Sequence, residues 1–238
     1  MPDTSARPEA NWRYSAILSG FVGTVAAGLA LLIAYALAVA LARVLPGQIG
    51  GWFDALTQNP TTQMVTDRLA LALLLHFGVG IALGLVYAAF VEPRLEGPGW
   101  RRGLVFSLIP WVLSLVFFLP LVGGGLFGLG LGAGPLPILG NLILHLVYGA
   151  VLGWVYARSA VELARTDPAS VAANVGAERG VAFGVVGGTL AGAVLGYLAG
   201  AVWDGVGSVQ LAMLVGATLG ATFGGFVGSY FGLNRAEV

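Results

Sequence analysis

The sequence predicts an all-α polytopic membrane protein, with six transmembrane helices built as three related helical hairpins and both termini cytoplasmic. Three observations carry this expectation. Of 238 residues, 58% are hydrophobic and only 9% are charged, against about 25% charged in a soluble domain. The apolar residues gather into six runs, each near the ~20 residues needed to cross hydrocarbon. One phrase also occurs twice, as "HFGVGIALGLVYA" at 76–88 and "HLVYGAVLGWVYA" at 145–157. Mean hydropathy is +0.89.

The first run, 16–45, exceeds what a span requires, so it is expected to tilt or protrude. The following stretch, "GQIGGWFDALTQNPTTQMVTDR" at 47–68, is half-polar and reads as a connection with an interfacial helix. Its Asp67 and Arg68 stand at the mouth of the second run, 69–91. The third, 102–121, carries Pro110 and Pro120, which should kink or end it. The uncharged loop "GGGLFGLGLGAGPLP" at 123–137 is a candidate re-entrant segment. Irregular backbone at membrane depth is tolerated only when protein buries it or it lines a cavity. The fourth run is 138–157. Residues 1–160 thus form a four-helix unit with both histidine phrases, 161–179 a cytoplasmic linker, and 180–238 a Gly-rich transmembrane hairpin. The hairpin's spans are 180–202 and 210–232, with Asp204 in the turn between them.

Arginine placement orients the chain. Arg7, Arg13, Arg94, Arg101, Arg102, Arg158, Arg165, Arg179 and Arg235 fall on one side, and Arg43 and Arg68 on the other. This bias puts both termini in the cytoplasm. Trp12, Trp52, Trp100 and Trp203 mark span ends, as interfacial anchors do. The polar N-terminus lacks a short apolar core with a cleavage site, so no signal peptide is expected.

Composition also excludes chemistry. Without Cys there is no disulfide and no thiolate-held cluster. All eleven basic residues are Arg, so there is no Schiff-base lysine. Net charge is zero, which gives no reason to expect a nucleic-acid partner. No carboxylate is expected deep in a span, which disfavours ion-coupled transport. No Ser-His-Asp or metal-carboxylate set is visible, and two histidines alone make a poor zinc site.

The two phrases share His76, Gly80, Leu83, Gly84, Val86, Tyr87 and Ala88 with His145, Gly149, Leu152, Gly153, Val155, Tyr156 and Ala157. "RGLVF" at 102–106 is echoed by "RGVAF" at 179–183, and Gly220, Gly224, Gly228 and Tyr230 keep the spacing with Gly where His stood. The stretches "HFGVGIALGLVYAAF", "RGLVFSLIPWVLSLVFFLPLVGGGLFG" and "HLVYGAVLGWVYA" resemble a group of uncharacterised bacterial polytopic membrane proteins, a domain of unknown function, over about residues 15–160. The resemblance implies a membrane location, in a bacterium the inner membrane, and a four-helix unit, but no substrate.

His76 and His145 are the only histidines. On a helix each shares a stripe about 80° wide with its glycines and tyrosine. Their charged inner flanks begin about 24 Å and about 20 Å away at 1.5 Å per residue, so both imidazoles are expected at similar depth. One outcome is a tetrapyrrole, a b-type haem or chlorin, ligated by His76 and His145, with Gly80 and Gly149 leaving room for the ring. The other is packing, each His bonding a nearby carbonyl or hydroxyl while the glycines admit another backbone. A ring wedges helices apart whereas a Gly-x3-Gly face draws them together, so one stripe can hardly do both with one neighbour. The expected role is therefore a non-catalytic membrane-embedded subunit or scaffold, joined to other membrane subunits or to itself through Gly-rich faces. A haem-binding electron-transfer subunit is the alternative, and a passive pore lined by the Gly-rich helices the third.

Overall fold

Long apolar runs without water must satisfy every backbone group internally, and the helix does so within one segment. The computed structural model describes residues 11–159, 171–202 and 209–234, and among these there is no strand. Helix α1 (Trp12–Val44) is the long first run, about 50 Å at 1.5 Å per residue. Two short helices follow, α2 (Gly47–Thr57) and α3 (Pro60–Asp67). Helix α3 opens with Asn59 accepting from the Thr62 N–H at 2.9 Å and Pro60 in its first turn, the usual way to satisfy a first turn. Helix α4 (Leu69–Val86) continues as a π turn over Tyr87–Val91 and a 3₁₀ turn over Glu92–Arg94, where Pro93 ends it.

Helix α5 (Gly99–Leu113) contains Pro110, continues as a π turn over Ser114–Phe118, and closes on Leu119–Leu121 around Pro120. Pro110 has no N–H for the carbonyl of Phe106, and in the π turn the Leu119 N–H reaches back five residues to Ser114. The prolines therefore distort this helix, and it ends just past the second. The uncharged loop holds a 3₁₀ segment at Leu126–Leu131, in which Phe127 has a φ of 55°. Helices α6 (Leu136–Tyr156), α7 (Val171–Val202) and α8 (Val209–Asn234) complete the chain.

Among the described residues, five helices are long and apolar enough to cross a membrane: Trp12–Val44, Leu69–Arg94, Gly99–Leu121, Leu136–Tyr156 and Val175–Val202. Helix α8, the sixth expected span, has 26 residues. The expected anchor Trp203 and turn residue Asp204, the ends with Arg7 and Arg235, and most of the expected linker, with Arg165, lie outside the described residues. Large apolar side chains face outward, with Leu74 69% and Phe226 76% exposed, as a lipid-facing surface requires.

The described chain divides into two compact units. One takes its residues from Met1–Phe21, Leu69–Ala88 and Val155–Val238, the other from Val22–Arg68 and Ala89–Trp154. In the first, α4 packs on the start of α1, and α7 packs on α8. Its buried apolar side chains are Tyr87, Tyr156 and Val185 beside the small Ala16, Ala88, Ala182, Ala212 and Ala221. In the second, α5 packs on α6 around buried Phe106, Leu115 and Leu152. There the connection from α1 to α4 also touches the one from α5 to α6: Trp52 of α2 lies against Gly134, and the Thr61 hydroxyl donates to the Val122 carbonyl at 3.1 Å.

Candidate functional site

The glycines of both phrases sit against another backbone. A Cβ added at Gly84 would lie 2.8 Å from the Gly20 Cα, and one at Gly20 would lie 2.9 Å from the Gly80 carbonyl oxygen. In the other unit a Cβ at Gly149 would lie 2.6 Å from the Ser107 Cβ, and one at Gly153 2.9 Å from the Gly103 nitrogen. Real Cβ atoms do not approach so closely, so only glycine fits these four places.

The α7–α8 pair extends the pattern along its whole length. Gly180, Gly184, Gly188, Gly192 and Gly196 face Gly228, Gly224, Gly220, Gly216 and Ala212. Gly180 lies between Gly228 and Gly232 as Gly103 lies between Gly149 and Gly153.

The histidines themselves diverge. His76, in the first unit, is exposed on α4 with its ring edge-on to Phe77, centroids 5.7 Å apart. His145, in the second unit, is half-buried, and its Nδ1 lies 2.8 Å from the Asn141 carbonyl oxygen. A carbonyl only accepts, so Nδ1 carries the proton and Nε2 keeps its lone pair in the neutral ring. Asn141 in turn accepts from the Ser114 hydroxyl at 3.0 Å, at the α5 π turn.

The tyrosines that close the phrases do meet. Tyr87 and Tyr156, 0% and 2% exposed, stand edge to face at 5.8 Å and 90° in the first unit. Among the described residues no three His, Cys, Asp or Glu side chains gather as a metal site.

Residues 11–166 match a family of unknown function, DUF6789. The chain belongs to DUF6789. No curated protein and no solved structure matches it. In this DUF6789 chain the matched region takes in both histidine phrases and α1, and ends before α7.

Sequence reasoning missed the buried acids. Glu92, inside the Leu69–Arg94 candidate span, is 1% exposed and ion-paired with Arg102. Glu178, inside Val175–Val202, is buried and accepts from the Ser15 hydroxyl at 2.7 Å. Glu92 flanks the expected run 69–91 and Glu178 falls in the expected linker 161–179, because hydrophobicity fades before either helix ends. The helices continue past those points, drawing Glu92 and Glu178 inside. The available signal was the opposite charge across the short 92–102 connection.

Proposed function

We propose that this DUF6789 chain is a six-span bacterial inner-membrane protein with both termini cytoplasmic, and that it is a non-catalytic embedded subunit or scaffold. Its hairpins, α1 with α4, α5 with α6 and α7 with α8, are three versions of one ancestral pair, the last with Gly in the histidine position. The four-helix unit through residue 160, the linker and the C-terminal pair are then successive additions. The observation that carries the reading is that Gly84, Gly149 and Gly153 leave no room for a Cβ against the neighbouring helix and that the Gly80 carbonyl lies against Gly20. A stripe filled by a neighbouring backbone has no room for a macrocycle. A pore on the Gly-rich helices is disfavoured likewise, since the glycines of α7 and α8 face each other rather than a lumen. Gly78, Gly140 and Gly187 have open space beside them, and these are the small positions left for another membrane subunit or a second copy.

A second reading keeps a specific observation. The Nδ1 bond of His145 to the Asn141 carbonyl is how ligating histidines are commonly held, with Nε2 offered to a metal. A b-type haem or chlorin on His145 and His76 remains the alternative on that ground. A reduced-minus-oxidised visible spectrum of the purified protein separates the two. A featureless spectrum, with expression unchanged in the His76→Ala, His145→Ala double variant, is expected. A sharp b-type band lost in that variant overturns the scaffold reading.

A further inference from the structure

The cap above α1, at the end opposite the arginine-rich one, carries a polar cleft that the packing account does not use. It has a volume of about 310 Å³ and is lined by Tyr35, Val39, Ala42 and Arg43 of α1 and by Asp54, Thr57 and Gln58 of α2. All seven belong to the second compact unit. The α1 residues recur at helical spacing along one face, so the cleft runs about 12 Å down the helix from Arg43 to Tyr35 at 1.5 Å per residue. Its upper end holds opposite charges. Asp54 accepts from the Gln58 amide at 2.6 Å, and among the described residues neither Arg43 nor Asp54 forms an ion pair. Thr57 spends its hydroxyl on its own helix, within 3.2 Å of the Phe53 and Asp54 carbonyls. Its lower end opens among exposed apolar side chains, with Tyr35 48% and Leu32 66% exposed.

We infer that this cleft binds a zwitterion carrying a phosphate and a primary amine, as in an aminophospholipid headgroup. The Arg43 guanidinium is a planar fork suited to phosphate. The Asp54 carboxylate keeps lone pairs for an ammonium after taking one amide proton. An exposed cation on α1 and an exposed anion on α2, lining one cleft without pairing, match a ligand that carries both opposite charges. An anionic headgroup without an amine meets Asp54 as a like charge, and a choline headgroup has no N–H to give it. The apolar lower end suits the glycerol and upper acyl chain, which selects the lipid over the free zwitterion.

The test is native mass spectrometry of the full chain in detergent with equal amounts of palmitoyl-oleoyl phosphatidylethanolamine, phosphatidylcholine and phosphatidylglycerol. Free phosphoethanolamine is added in a parallel arm. The expected result is phosphatidylethanolamine retained about tenfold over the other two, the scale of one charge-assisted hydrogen bond. Asp54→Asn, which keeps shape, removes that preference. Arg43→Gln reduces retention of all phosphate lipids, and thermal stability is unchanged in both variants. Displacement of the lipid by millimolar phosphoethanolamine keeps the chemistry and makes a soluble zwitterion the source. No displacement makes the source the lipid. Equal retention of the three lipids, or a preference untouched in Asp54→Asn, overturns the proposal.

Discussion

The two histidine phrases share seven residues at matched places and end up in different surroundings. The first stands on α4 against α1, with its histidine exposed. The second stands on α6 against α5, with its histidine half-buried and bonded to Asn141. What they keep in common is glycine against backbone and tyrosine against tyrosine. Beyond the tyrosine they part again. The first runs through a π turn to buried Glu92, and the second leaves its helix at Arg158, whose N–H bonds the Val155 carbonyl at 3.0 Å. The lesson is that a repeated phrase preserves what its backbone neighbour demands, while groups pointing elsewhere are free to diverge.

That comparison breaks most sharply at the ion pair that only the first phrase leads to. Arg102→Ala leaves Glu92 buried without its cation, and removing one partner of a buried pair is destabilising by about 3–5 kcal/mol. Detergent-induced unfolding followed by circular dichroism should show it. An effect below about 1 kcal/mol would mean that Glu92 is satisfied elsewhere.

Next come the glycines. Gly149→Val and Gly84→Val overpack a backbone contact, each at a cost of about 1–3 kcal/mol. Gly78→Ala, in open space on the same helix as Gly84, should be neutral or stabilising by up to ~1 kcal/mol. Equal losses at Gly78 and Gly84 in the same unfolding assay would remove the distinction between packed and open faces.

The tyrosine contact is smaller. A double-mutant cycle of Tyr87→Leu and Tyr156→Leu should give a coupling of about 0.5–1.5 kcal/mol beyond area burial. Additive losses would mean that the rings share a region without supporting each other.

Smallest, and most discriminating for the phrases, are the histidines. His145→Ala loses a hydrogen bond of about 1 kcal/mol, whereas His76→Ala, on an exposed face, should stay within about 0.5 kcal/mol. Comparable losses would restore the histidines as a matched pair.

Much of the fold was legible because hydrophobic runs report spans directly and prolines report distortion. Runs 69–91, 102–121 and 138–157 lie within a few residues of the helical stretches found. The half-polar 47–68 segment became two helices because Asn59-Pro60 stops one and starts the next. The site was less legible. Spacing placed His76 and His145 on equivalent stripes, but which side of a stripe meets protein depends on the partner helix, and no single-helix pattern names it. Tyr87 and Tyr156 were visible in the same phrase and read only as marks of the repeat. The buried position of Glu178 depends on Ser15, 163 residues away, a separation no local pattern reports.

The π turn at Tyr87–Val91 sets the angle at which the chain leaves the helix. A π turn holds one more residue than an α turn without losing its hydrogen-bonded ladder. Each residue turns the helix by about 100°, so a one-residue deletion within 87–91 would swing Glu92 from its buried position by nearly a third of a revolution. The buried place of Glu92 therefore depends on how many residues separate it from Tyr87 as much as on which residues they are.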